Sequence, residues 1–247
     1  MRLLALAAAL ALLACAHGPT RKQRQAAEAH HDLAVEAMKV GRASDALREF
    51  EDALRIDPGF AEAHRGRGLV LEFGYGRLGE AEREYRRALE LRKSYPEVRN
   101  DLGQLLAKTG RFEEALRELA LALDDTSYRE PHVARCNRGQ VLHEMGRKQE
   151  GIAELRACTS MAPRYCAGRR ELGRIHLAEG RLEEALEELG AYARACEKVP
   201  DAHYQLGLAH MKSGELGLAR EDFERCERLG EGSPLGEDCR RSRELLQ

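Results

Sequence analysis

The sequence predicts an all-α protein, a right-handed superhelix of six helical-hairpin repeats closed by a C-terminal capping helix. Composition is the first reason. Of 247 residues, 33% are charged, only 5% are aromatic, and Trp is absent, a mix that favours helices over sheets. Period is the second. Gly41, Gly76, Gly110, Gly146, Gly180 and Gly214 stand 35, 34, 36, 34 and 34 residues apart. The third is a register of sizes around those glycines. A small residue follows each one (Ala46, Ala81, Ala115, Gly151, Ala185, Ala219), then a large apolar one (Phe50, Tyr85, Leu119, Leu155, Leu189, Phe223). Another small residue precedes each (Ala34, Gly68, Gly103, Gly139, Gly173, Gly207), with one extra residue of spacing in the second repeat.

The chain opens on Met1-Arg2 and then an unbroken apolar run, Leu3 to Ala16. Fourteen such residues are too few for a membrane-spanning helix, which needs about 20. They suit the core of a secretory signal peptide. Leu12-Leu13-Ala14-Cys15 resembles the lipobox of bacterial lipoproteins, in which the peptide is cut before the cysteine and acyl chains, palmitate among them, are attached to it. The expectation is a signal peptide at 1–14, a lipidated Cys15 holding the chain on a membrane, and a tether at 15–26. Ala16 rather than Asp after the cysteine resembles the sorting signal for the outer membrane. An ordinary signal peptide, or a buried terminal helix with a cysteine in it, is the competing reading.

The period and the small–large register resemble the tetratricopeptide repeat, a helix-turn-helix unit of 34 residues. Small residues allow two helices to cross closely, large ones fill the space beside them, and the glycine ends the first helix in a left-handed conformation. The repeats are placed at 27–60, 61–95, 96–131, 132–165, 166–199 and 200–232. Pro58 and Pro163 fall just beyond the second helix of their repeats, where proline stops a helix. Ser233-Pro234 supplies an N-cap and first turn for the capping helix at 233–247. No repeat buries its apolar face alone, so stacking and end caps are required.

Beyond Cys15 there are six cysteines: Cys136, Cys158, Cys166, Cys196, Cys226 and Cys239. Outside the cytosol an even number points to disulfides, and six allow fifteen connectivities. In an antiparallel hairpin, facing positions have a constant sum. Cys136 with Cys158, and Cys166 with Cys196, share the same sum within their repeats. Cys226 lies late in the sixth repeat and Cys239 in the helix expected to pack on it. The expected pairs are therefore 136–158, 166–196 and 226–239. The competing reading takes Cys158 and Cys226 as small core residues, since Ala53, Ala88 and Ala122 hold the same position. No CxxC or CxxH cluster points to zinc.

No catalytic motif is present: neither HExxH, nor GxSxG, nor GxxxxGK[ST]. The reading is a non-enzyme with no cofactor, metal or small-molecule substrate. Net charge is -2 with both signs interleaved, which argues against nucleic acid as a partner. His30, His64 and His203 share one helical position and His176 and His210 another, read as packing. Glu113-Glu114 and Glu183-Glu184 recur at the start of second helices, where acids suit the helix dipole. The chemistry expected is recognition. In such repeats the first helices line a concave face, here Val35, Met38, Leu69 and Phe73 as an apolar patch, extended by Asn100 and Gln104. A patch of that kind suits an extended peptide or an amphipathic strand. Cover by a tether or cap is the alternative.

The third repeat and its link, PEVRNDLGQLLAKTGRFEEALRELALALDDTSYREPHVARCNRG, carry a narrower signal. Asn100, Gly103, Gly110, Arg111, Glu114, Ala115, Asp125, Tyr128, Asn137 and Gly139 fall on a pattern that resembles the type IV pilus pilotins, outer-membrane lipoproteins of the Tgl/PilF/PilW group. The overlong link at 124–131, the lipobox, the six repeats and the length agree. Leu102 stands where that group has Tyr, Phe112 is an aromatic substitute, and Thr126 stands where Pro is common. The cysteines resemble the Tgl branch. The resemblance implies a periplasm-facing, lipid-anchored protein that binds protomers of the pilus secretin. It would promote their localisation and assembly in the outer membrane, and hence pilus biogenesis and twitching or social motility. The alternative is a lipoprotein scaffold for another envelope machine, in cell-wall synthesis or outer-membrane protein insertion.

Overall fold

The computed structural model describes residues 18–246, so the expected signal peptide and Cys15 lie outside the described residues. The chain divides into two compact units, Met1–Thr109 and Gly110–Gln247. Among the described residues there are helices and turns and no strand. None of the helices there is long and apolar enough to cross a membrane.

The first unit contains α1 (Arg21–Lys39), α2 (Ala43–Ile56), α3 (Ala61–Leu69), α4 (Leu78–Leu91) and α5 (Pro96–Lys108). Thr20 and Gln23 start α1 with a reciprocal capping box: the Gln23 amide donates to Thr20 Oγ1 at 3.3 Å, and the Thr20 amide donates to Gln23 Oε1 at 2.8 Å. α1 pairs with α2, and α3 with α4. α3 does not end at Leu69 but runs on into a π-helical turn, Val70–Gly74. That turn absorbs the extra residue of the second repeat without breaking the helix.

The second unit contains α6 (Phe112–Asp124), α7 (Pro131–Glu144), α8 (Lys148–Met161), α9 (Cys166–Ala178), α10 (Leu182–Ala195), α11 (Pro200–Ser213), α12 (Leu216–Leu229) and α13 (Pro234–Glu244). The pairs are α7 with α8, α9 with α10 and α11 with α12, and α13 packs on α12. Ser233 Oγ accepts from the Gly236 amide at 3.2 Å and begins α13.

The size register has a direct structural cause. A Cβ on Gly68 would lie 2.5 Å from the Tyr85 ring, and one on Gly207 would lie 2.8 Å from the Phe223 ring. Tyr85 and Phe223 are fully buried, which stabilises by about 1.5–3 kcal/mol apiece. The six periodic glycines all have positive φ, from 65° at Gly76 to 86° at Gly214, a conformation in which a side chain is strained.

Polar pairs stitch the same hairpins. His30 Nδ1 meets Glu49 at 2.7 Å, His64 Nδ1 meets Glu84 at 2.7 Å, Arg135 meets Glu154 at 3.1 Å, and Arg169 meets Glu188 at 2.6 Å. His203 lies 4.0 Å from Asp222, which also meets His210 at 2.7 Å. The shared histidine position therefore sets an imidazole beside a carboxylate of the facing helix rather than packing it as an aromatic.

Three disulfides staple the second unit. Cys136–Cys158 joins α7 to α8 with Cα atoms 5.4 Å apart. Cys166–Cys196 closes the α9–α10 hairpin at 6.2 Å, and Cys226–Cys239 ties α12 to α13 at 5.9 Å. Gly168 gives the first bridge its space, since a Cβ there would lie 2.7 Å from Cys136 Sγ.

Candidate partner-binding groove

The first unit carries an open groove of about 510 Å³. α1 contributes His31, Val35, Met38 and Lys39, one stripe of a helix at spacings of four, three and one. α3 contributes Glu62, Arg65, Gly66 and Leu69 from its facing stripe. Phe50 and Tyr95, both buried, complete the lining. Phe50 reaches that position because Gly66 has no side chain: a Cβ there would collide with the Phe50 ring. His31 lies against the Phe50 and Phe60 rings, with centroids 5.7 and 5.2 Å away. Val35, Met38 and Leu69 are half-buried, and Val35 and Met38 rest on the core beneath.

One rim of this apolar lining is charged and ordered. Arg65 Nε donates to Asp101 at 2.6 Å. Burial lifts the Asp101 carboxyl above its ordinary value, and the Arg65 guanidinium offsets only part of that. Arg92 pairs with Glu62 and stacks 4.4 Å over the Tyr95 ring. These contacts hold Arg65 and Tyr95 in place, so the groove is shaped before any partner arrives.

The structure brings together Val35, Met38 and Leu69 as one surface. Phe73 is separate from that lining. It sits in the π turn with 67% of its surface exposed, and Lys108 Nζ lies 5.5 Å from its ring. Asn100 is a correction. It is 4% exposed and its side chain hydrogen-bonds Asp101, so it supports the rim from within and offers no surface to a partner. Gln104 is half-buried and does not line the groove.

Two features went unread in the sequence. The first is the basic–acidic pairing between hairpin helices, visible as His30, His64, Arg135, Arg169 and His203 against Glu49, Glu84, Glu154, Glu188 and Asp222 at one register. The second is Glu72. The π turn buries it to 4% exposure, with the Tyr85 hydroxyl donating to it at 3.0 Å and Lys108 Nζ 3.9 Å away. Its only sequence signal is the extra residue between Gly68 and Gly76.

Tetratricopeptide-repeat family models match residues 31–74, 72–134, 136–200 and 200–229. The type IV pilus assembly protein PilF of Pseudomonas aeruginosa is 31% identical over 121 residues, 49% of this chain and 48% of that protein. Tetratricopeptide repeat protein 6 of Homo sapiens is 25% identical over 134 residues, 53% of this chain and 25% of that protein. The chain thus spans less than half the length of these two curated relatives. Among solved structures, PilW, described as a widely conserved type IV pilus biogenesis factor, superposes with a TM-score of 0.74 at 23% identity, covering 87% of this chain and 98% of that one. Pseudomonas aeruginosa PilF superposes with a TM-score of 0.71 at 21% identity, covering 90% and 99%. At those identities the two structures speak to fold. The chain belongs to the tetratricopeptide-repeat family and is similar to the type IV pilus assembly protein PilF.

Proposed function

We propose that this protein acts in type IV pilus biogenesis as a lipid-anchored pilotin. In this reading Cys15 carries the acyl chains that hold it on the outer membrane, facing the periplasm. The groove of the first unit grips protomers of the pilus secretin, and holding several protomers on one membrane raises their effective concentration for ring assembly. No chemistry on a substrate is needed; recognition is the whole activity. The single observation that carries the binding reading is the preformed groove, an apolar lining that includes Val35, Met38 and Leu69 with an ordered polar rim. The similarity to PilF supplies the pilus context.

The test is capture of the secretin's periplasmic region by the purified full chain, compared with Leu69→Arg. Leu69 is half-buried at the groove wall, so the arginine can extend outward while filling the binding surface with charge. Loss of at least tenfold in affinity, about 1.4 kcal/mol, with an unchanged circular-dichroism spectrum is expected. Equal capture by both chains would move the interface off this groove. Binding of the chain to cell-wall or outer-membrane insertion machinery, and not to secretin, would favour a general envelope scaffold.

A further inference from the structure

We propose that His30, Glu49 and Asp52 form a divalent-metal site on the α1–α2 hairpin, suited to a borderline first-row ion such as Zn²⁺. His30 comes from α1, and Glu49 and Asp52 lie one turn apart on α2. Their ligand atoms all lie within 4.8 Å of one another, with His30 Nδ1 and Glu49 Oε2 2.7 Å apart. A zinc-class ion takes such donors at about 2.0–2.2 Å, so on binding His30 and Glu49 would open slightly from their hydrogen-bond separation to admit it. Side-chain exposures of 35%, 16% and 26% leave the three sheltered but reachable from solvent.

Comparison among the hairpins separates this set from an ordinary ion pair. A base facing an acid recurs as His64–Glu84, Arg135–Glu154, Arg169–Glu188 and His203–Asp222, so His30–Glu49 alone would be structural. Three repeats use histidine as the base: His30, His64 and His203. Three residues after the paired acid, the other two place a cation, Arg87 after Glu84 and Arg225 after Asp222. A guanidinium there would oppose a bound ion. The first hairpin instead has Asp52, which completes one imidazole and two carboxylates. That donor set suits zinc-class ions and leaves coordination positions for water or for a donor from a partner.

Two arginines compete with the ion. Arg48 lies 3.3 Å from Glu49, and Arg55 pairs with Asp52. Their side chains are 62% and 74% exposed, and pairs of this kind contribute little, so an ion can displace them. Binding replaces the His30–Glu49 hydrogen bond by two metal–ligand bonds. The proton shared between Nδ1 and Oε2 moves to Nε2 or leaves to solvent. The site does not depend on the pilus reading.

The test is calorimetric titration of the full chain with ZnCl₂, in a Cys15→Ser background that removes the one thiol outside the disulfides. One saturable equivalent with a micromolar dissociation constant is expected. Asp52→Asn keeps the His30–Glu49 pair and the fold, and should weaken binding at least tenfold. Asp45→Asn, an acid of the same helix outside the triangle, should bind as the parent does. The site is refuted if no saturable binding occurs, or if Asp52→Asn titrates like the parent with an unchanged circular-dichroism spectrum.

Discussion

Glu72 is a buried carboxylate with a neutral donor, Tyr85, and a distant cation, Lys108. Burial raises its pKa above the ordinary glutamate value, and the Tyr85 hydrogen bond and Lys108 pull it only part of the way back. The charged form is therefore penalised on folding. Glu72→Gln keeps an acceptor for Tyr85 and removes that penalty. It should raise stability at pH 8 by roughly 1 kcal/mol. The sign fixes the pH dependence. A carboxyl whose folded pKa lies above its unfolded value binds protons more readily when folded. Its penalty is then present above the folded pKa and disappears as pH falls to the unfolded one. The advantage of the variant over the parent, followed by urea denaturation, should shrink over that interval. An advantage that grew on acidification would contradict the assignment. At this scale the sequence was uneven to read. Gly68 against Tyr85 and Gly214 at the turn follow from a size register and a period. The burial of Asn100 does not, because it belongs to a polar cluster with Asp101 and Arg65 that joins two helices and leaves no trace in one repeat's register.

Among the elements, the hairpins of the second unit differ from those of the first in being cross-linked. The described residues of the first unit contain no cysteine, whereas three disulfides close successive elements from α7 to α13. The sequence separations are 22, 30 and 13 residues. On the loop-entropy account, a bridge such as Cys136–Cys158 stabilises by roughly 3 kcal/mol. Cys136→Ser together with Cys158→Ser should lower the stability of the second unit by about that amount and leave the first unchanged. Hydrogen exchange resolves the two units, and protection lost evenly across both would contradict the picture. Antiparallel geometry made these pairings readable, because a hairpin fixes which positions face. The π turn was readable only as one residue of excess spacing. Whether an insertion becomes a loop or a π turn depends on packing, and here the turn buries Glu72 against Tyr85 while exposing Phe73.

At the scale of the whole molecule, the fold was legible because a repeat states its rule six times, and noise at one position is corrected by the others. The groove was legible only in part. Val35, Met38 and Leu69 follow from the helical face they occupy, while Tyr95 and Phe50 join them through turns and close approach that no single repeat encodes. The proposed assignment as a pilotin joins a lipid on Cys15, beyond the described residues, to recognition by the first unit. On that proposal both parts act on one assembly, the multimer of the pilus secretin. The most direct test is an immunoblot for that multimer in a strain lacking the gene, beside strains carrying Cys15→Ala and Leu69→Arg. The account predicts that the multimer disappears in the deletion while secretin monomer persists, and is strongly reduced in both variants. A multimer of normal abundance in the deletion strain would contradict it.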